Sequence, residues 1–128
     1  MSSPPEDFWQ RAKAALAVAE HDLPLDSDAA ASRAYYAAFY AVSALFAVTG
    51  RTFSKHTAIE AAVHRDLVNT GTWPASLGKG FSRLYQLRGR GDYGGGRHVS
   101  PPEAEESIRL AREIIQAVHK SNPALFPS

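Results

Sequence analysis

Asp28-Ala29-Ala30-Ala31-Ser32-Arg33-Ala34-Tyr35-Tyr36-Ala37-Ala38-Phe39-Tyr40-Ala41-Val42-Ser43-Ala44-Leu45-Phe46 decides the fold. Tyr35, Phe39, Val42 and Phe46 recur at helical spacing and form one apolar stripe. Tyr36, Tyr40 and Ser43 form a second, and Ala37, Ala41 and Ala44 fill the space between. A helix that is apolar nearly all round is buried on more than one side. The stretch therefore predicts a central bundle helix, or a helix at an oligomer interface. It starts near Asp26-Ser27-Asp28 and runs to Gly50.

Outward from it, the same periodicity recurs. Ser3-Pro4-Pro5-Glu6 reads as a capped helix start, with proline in the first turn and Glu6 at the N3 position. Phe8, Ala12, Ala15 and Ala19 follow as a narrow stripe, and Pro24 closes the segment. A third helix follows Ser54, carries Ile59, Val63 and Leu67, and stops at Asn69-Thr70-Gly71. A fourth starts around Trp73-Pro74 with the stripe Leu77, Phe81, Leu84, despite Gly78 and Gly80. The run Gly89 to His98 is read as unable to hold a helix, because glycine is so frequent in it. A fifth helix opens on a second Ser-Pro-Pro-Glu, Ser100 to Glu103, and buries Ala104, Ile108, Ala111, Ile115 and Val118. Glu105 and Arg109 are expected to pair on its wet face. The expectation is an all-α, four- to five-helix, mostly antiparallel bundle in one domain over residues 1–128, with a loosely ordered tail at 122–128.

Composition narrows function. The 14 basic and 13 acidic residues leave a net charge of +1, so any basic site must be local. With no cysteine, thiol chemistry, disulfide scaffolds and cysteine-ligated zinc are excluded. No apolar run approaches the ~20 residues that cross a bilayer. Met1 to Asp7 lacks the regions of a secretory signal. A cytoplasmic protein with no membrane partner is expected. P-loop, Rossmann and nucleophile-elbow motifs are missing.

Arg88 falls where the fourth apolar stripe would continue, so its guanidinium is expected inward or in a cleft, needing an anionic or carbonyl partner. Arg90 and Arg97 add local positive charge, Asp92 and Tyr93 add an acceptor and a phenol, and His98 adds a titratable imidazole. Glycine lets backbone amides approach an anion. The run reads as a phosphate site, most simply of a nucleic acid. The competing reading is a plain helix C-terminus with arginine on its dipole. Arg33 with Tyr36 and Tyr40 can stack bases, or make a core or dimer interface. His56, Glu60 and His64 share a helical face that could geometrically hold a metal. A solvated polar face fits them better, so neither metal nor cofactor is expected.

These residues resemble the small stand-alone HEPN family. Ala31 to Tyr40 resembles its second-helix signature. Lys55-His56-Thr57 matches its K-x-H start of the third helix. Leu87-Arg88, Asp92-Tyr93, Ser100 and Glu103 resemble its arginine to Asp-Tyr segment and capped last helix. The resemblance spans roughly residues 8–120. It implies a dimerising bundle, with many members acting as metal-independent ribonucleases and others pairing with minimal nucleotidyltransferases in toxin–antitoxin systems. Nuclease members carry R-x(4–6)-H. From Arg88 that histidine would fall at 93, 94 or 95, where this chain has Tyr, Gly and Gly. Arg88-x4-Tyr93 instead resembles the R-x4-Y variant of nucleotidyltransferase-linked members. The implied assignments are Arg88, Tyr93 and Asp92 in the chemistry. Arg90, Arg97, His98, Arg33, Lys55 and His56 would meet RNA or phosphate, and Tyr36 and Tyr40 a dimer or partner interface. A non-catalytic partner-binding module and a nucleotide sensor are the alternatives.

Overall fold

A computed structural model describes residues 3–93 and 98–128, and for residues 91–93 the backbone alone. Its helices are α1 (Pro4–Asp22), α2 (Ser27–Ala47), α3 (His56–Ala62), α4 (Ala75–Tyr93) and α5 (Pro101–Ser121). A π-helical segment, Val63–Val68, continues α3. No strand occurs among the described residues, so the all-α bundle is correct.

The caps follow from side-chain chemistry. Asp26 accepts the Ala29 amide at 3.1 Å and starts α2. Ser100 and Glu103 form a complete capping box, with the Glu103 amide on Ser100 Oγ at 3.3 Å and the Ser100 amide on Glu103 Oε1 at 3.1 Å. Gly71, at φ +82°, supplies the left-handed turn after the π segment. α2 packs on α1, α4 and α5. Its Ala34, Ala37, Ala38 and Ala41 are wholly buried, letting neighbouring helices approach closely around Tyr35 and Val42. This central position is the one its all-round apolar pattern predicts.

Five expectations are corrected. α4 does not stop at Gly89 but continues to Tyr93. Tertiary anchors offset the ~1 kcal/mol that each helical glycine costs: Leu87 is wholly buried, Arg88 is buried, and Arg90 is paired to α5. The tail is docked rather than loose. Phe126 is fully buried with its ring 5.3 Å from that of Trp9, and Trp9 Nε1 donates to the Pro127 carbonyl at 2.9 Å. Trp9, not Phe8, is consequently the buried aromatic of α1. Arg109 pairs with Glu113 at 3.2 Å instead of Glu105. The N-cap of α3 is Lys55 rather than Ser54, and it makes no side-chain cap bond.

Candidate functional site

α2, α3 and α4 converge on one aromatic cluster. Tyr35 sits at its centre, with the rings of Tyr36, Phe39, His56, Phe81 and Tyr85 at 5.3–6.1 Å. The Tyr35 hydroxyl lies 2.8 Å from His56 Nδ1. Burial pushes the Tyr35 phenol far above its ordinary value, with Arg88 pulling the other way. Tyr35 therefore stays protonated, and its hydroxyl shares a hydrogen bond with the His56 ring.

Arg88 enters this cluster from α4. It is 8% exposed, and Nη2 donates to the Tyr36 hydroxyl at 3.2 Å. Its guanidinium carbon lies 5.7 Å from the Tyr35 ring centre and 5.5 Å from that of Tyr36. The inward arginine is thus held by two aromatic faces, an arrangement suited to its planar cation. Tyr36 and Tyr40 stay half-buried, 6.1 Å apart between ring centres.

Other expected residues are placed elsewhere. Arg90 points to α5 and forms an ion pair with Glu103. The Ser100 amide and Arg90 together hold the Glu103 carboxyl down at about 2. His98 Nδ1 meets Asp28 Oδ2 at 2.7 Å, and Asp28 Oδ1 accepts the Val99 amide at 2.7 Å. These contacts tie the entry of α5 to the first turn of α2, so both groups face carboxylates. Lys55 is exposed beside His56, at the N-cap of α3. Arg33 is exposed and lines a shallow cleft between α1 and α2. Arg97 and the side chains of Asp92 and Tyr93 lie outside the described residues.

The expected solvated face of α3 is also corrected. His56 turns into the aromatic cluster, and half-buried His64 bonds Ser82 Oγ through Nε2 at 2.9 Å. Among the described residues, no three His, Asp or Glu side chains gather as metal ligands would. No described helix is long and apolar enough to cross a membrane. Tyr85 was not singled out from sequence, and Phe81 only as a member of the apolar stripe of α4. Tyr85 was findable, since it sits one turn before Arg88 on α4 and must share its face.

The family model described as HEPN domain matches residues 5–121. The chain belongs to the HEPN family. A UPF0332 protein of Thermotoga maritima is 35% identical over 117 residues, spanning 89% of this chain and 88% of its own length. HEPN domains are helical bundles of a nucleotide-binding or ribonuclease type, and this bundle conforms. In this HEPN domain the R-x4-Y arginine is the buried cation of the aromatic cluster.

Proposed function

We propose that this HEPN domain is an RNA-directed component that engages single-stranded RNA at the Arg88 face of α2, α3 and α4. The observation that carries this reading is the guanidinium of Arg88 held between Tyr35 and Tyr36, beside half-buried aromatic rings and the exposed Lys55. A guanidinium offers paired donors to a phosphate, and tyrosine rings offer stacking surfaces to bases. If the bound RNA is cut, the chemistry is metal-independent transfer: the 2′-hydroxyl attacks the adjacent phosphorus and the 5′-oxygen leaves. Arg88 would steady charge on the phosphorane oxygens. Tyr93 would orient the phosphate and Asp92 would hold Tyr93 or Arg88 in place.

The test is binding and cleavage of single-stranded RNA by purified protein in excess chelator. Arg88→Ala is expected to weaken binding at least tenfold, about 1.4 kcal/mol. Arg88→Lys, which keeps the charge but not the planar fork, should recover only part of it. Circular dichroism and the urea midpoint verify that both variants fold. Undiminished binding by folded Arg88→Ala overturns the reading.

A second reading is favoured by a specific observation: Arg90 and His98, two side chains expected to meet phosphate, already face Glu103 and Asp28. On that reading the domain is a non-catalytic homodimer in a toxin–antitoxin-type pair. It would present Tyr36 and Tyr40 to a minimal nucleotidyltransferase that modifies Tyr93. It predicts a dimer by light scattering, co-purification with the neighbouring gene product, and a nucleotide mass on Tyr93 with no RNA cleavage. A monomer with no partner and no adduct rejects it.

A further inference from the structure

Arginines in this protein are mostly consumed by carboxylates. Arg51 and Arg65 hold Asp66, and Arg83 holds Glu106 and Glu103. Arg90, Arg109 and Arg112 hold Glu103, Glu113 and Glu20. Among the described residues, Arg11 and Arg33 have no carboxylate within ion-pair distance. Both line the same cleft between α1 and α2, of about 330 Å³, together with Tyr40, Val18 and two alanines. No carboxylate lines it. Val18 is 43% exposed there, and the Arg11 guanidinium lies 6.0 Å from the Tyr40 ring centre.

This cleft adjoins the Arg88 site. Successive contacts run from Arg88 to Tyr36 (5.5 Å), from Tyr36 to Tyr40 (6.1 Å) and from Tyr40 to Arg11 (6.0 Å). The result is a strip of two adjacent tyrosine rings with a cation at each end, one of them in the cleft. We infer that Arg11, Arg33 and Tyr40 form a second subsite, which holds the sugar–phosphate backbone and one base of the RNA leading away from Arg88. The inference rests on the RNA reading above and extends it into the cleft between α1 and α2.

Charge complementarity selects the occupant. Flexible cations flanking a tyrosine suit phosphates with a base stacked between them. A second copy docked here about a twofold axis would set guanidiniums against guanidiniums with no carboxylate to neutralise them, which disfavours self-association at this cleft. Both arginines are on the surface, so removing their charge leaves the core intact.

The test measures affinity for a single-stranded RNA of about 10 nucleotides, within the span one small domain covers, across a series of salt concentrations. Each lost phosphate contact lowers the slope of log K against log salt by about 0.7 for single strands. The double variant Arg11→Gln/Arg33→Gln should bind more weakly, with a slope smaller by about 1.4. Tyr40→Ala should weaken binding without changing the slope. The control Arg65→Gln/Arg109→Gln, which removes the same net charge elsewhere, should leave the slope unchanged. Wild-type protein that binds RNA while the Arg11/Arg33 variant keeps its slope overturns this inference and spares the Arg88 reading. Wild-type protein that binds no RNA overturns both. A variant that keeps RNA affinity but loses an acidic protein partner assigns the cleft to that partner, and also overturns the inference.

Discussion

Tyr35 shows how one side chain ties the core to the candidate site. Its ring is wholly buried at the meeting of α2, α3 and α4, and its hydroxyl fixes the His56 ring. Tyr35→Phe keeps the ring but removes the hydrogen bond between the phenol and His56 Nδ1. It should cost about 1–3 kcal/mol in urea unfolding. The pH dependence has a definite sign. The folded phenol titrates above the unfolded one, so its stabilisation is complete below about pH 10, the ordinary tyrosine value. It is lost as the pH rises beyond that. Wild-type stability should fall with alkali, and the fall should be smaller in Tyr35→Phe. The inward placement of Arg88 was legible in sequence, because a stripe of Leu77, Phe81 and Leu84 leads straight to it. Its partners were not, since Tyr36 comes from another helix and periodicity says nothing about which stripes meet. Trp9 was missed for a similar reason: its burial depends on a tail 118 residues away in sequence.

At the level of elements, α4 carries the sharpest contrast. A Cβ at Gly78 would stand 2.7 Å from Val68 Cγ2 and 3.1 Å from the His64 ring. This glycine lets α4 close on the π-helical segment. Gly89 has nothing within 4 Å of the same position. Gly78→Ala should therefore destabilise by about 1–3 kcal/mol through overpacking, even against the gain in helix propensity. Gly89→Ala should stabilise by about 0.5–1 kcal/mol. Thermal unfolding distinguishes the two, and equal shifts would contradict the packing described. A glycine count cannot tell these positions apart, which is why the sequence reading ended α4 too early. The two Ser-Pro-Pro-Glu caps were the most legible features, since that motif acts within one turn, whereas the Ser54 cap expected for α3 was not found. For α5 that cap has a pH consequence. The Glu103 carboxyl, held down at about 2 by the Ser100 amide and Arg90, stabilises the fold above its ordinary value of 4.5. That contribution fades as the pH falls from 4.5 towards 2. Glu103→Gln should flatten the acid limb of the stability profile.

On the scale of the molecule, the bundle is closed by its own C-terminus. Phe126 fills the space beside Trp9, and His119 Nδ1 meets the Phe126 carbonyl at 2.7 Å. Phe126→Ala should cost about 3–5 kcal/mol, the usual range for a buried phenylalanine, and should shift tryptophan fluorescence. An unchanged midpoint would contradict a docked tail. The molecule also carries the strip of Arg88, Tyr36, Tyr40 and Arg11, which makes α2 both the structural centre and the candidate working surface. Photo-crosslinking of thiouridine-substituted single-stranded RNA to the intact protein, with adducts mapped by mass spectrometry, tests that claim most directly. Adducts on the α2 segment bearing Tyr36 and Tyr40, and their loss in Arg88→Ala, are the predicted result. Adducts confined to the outer face of α5, or none at RNA concentrations that saturate binding, would contradict it.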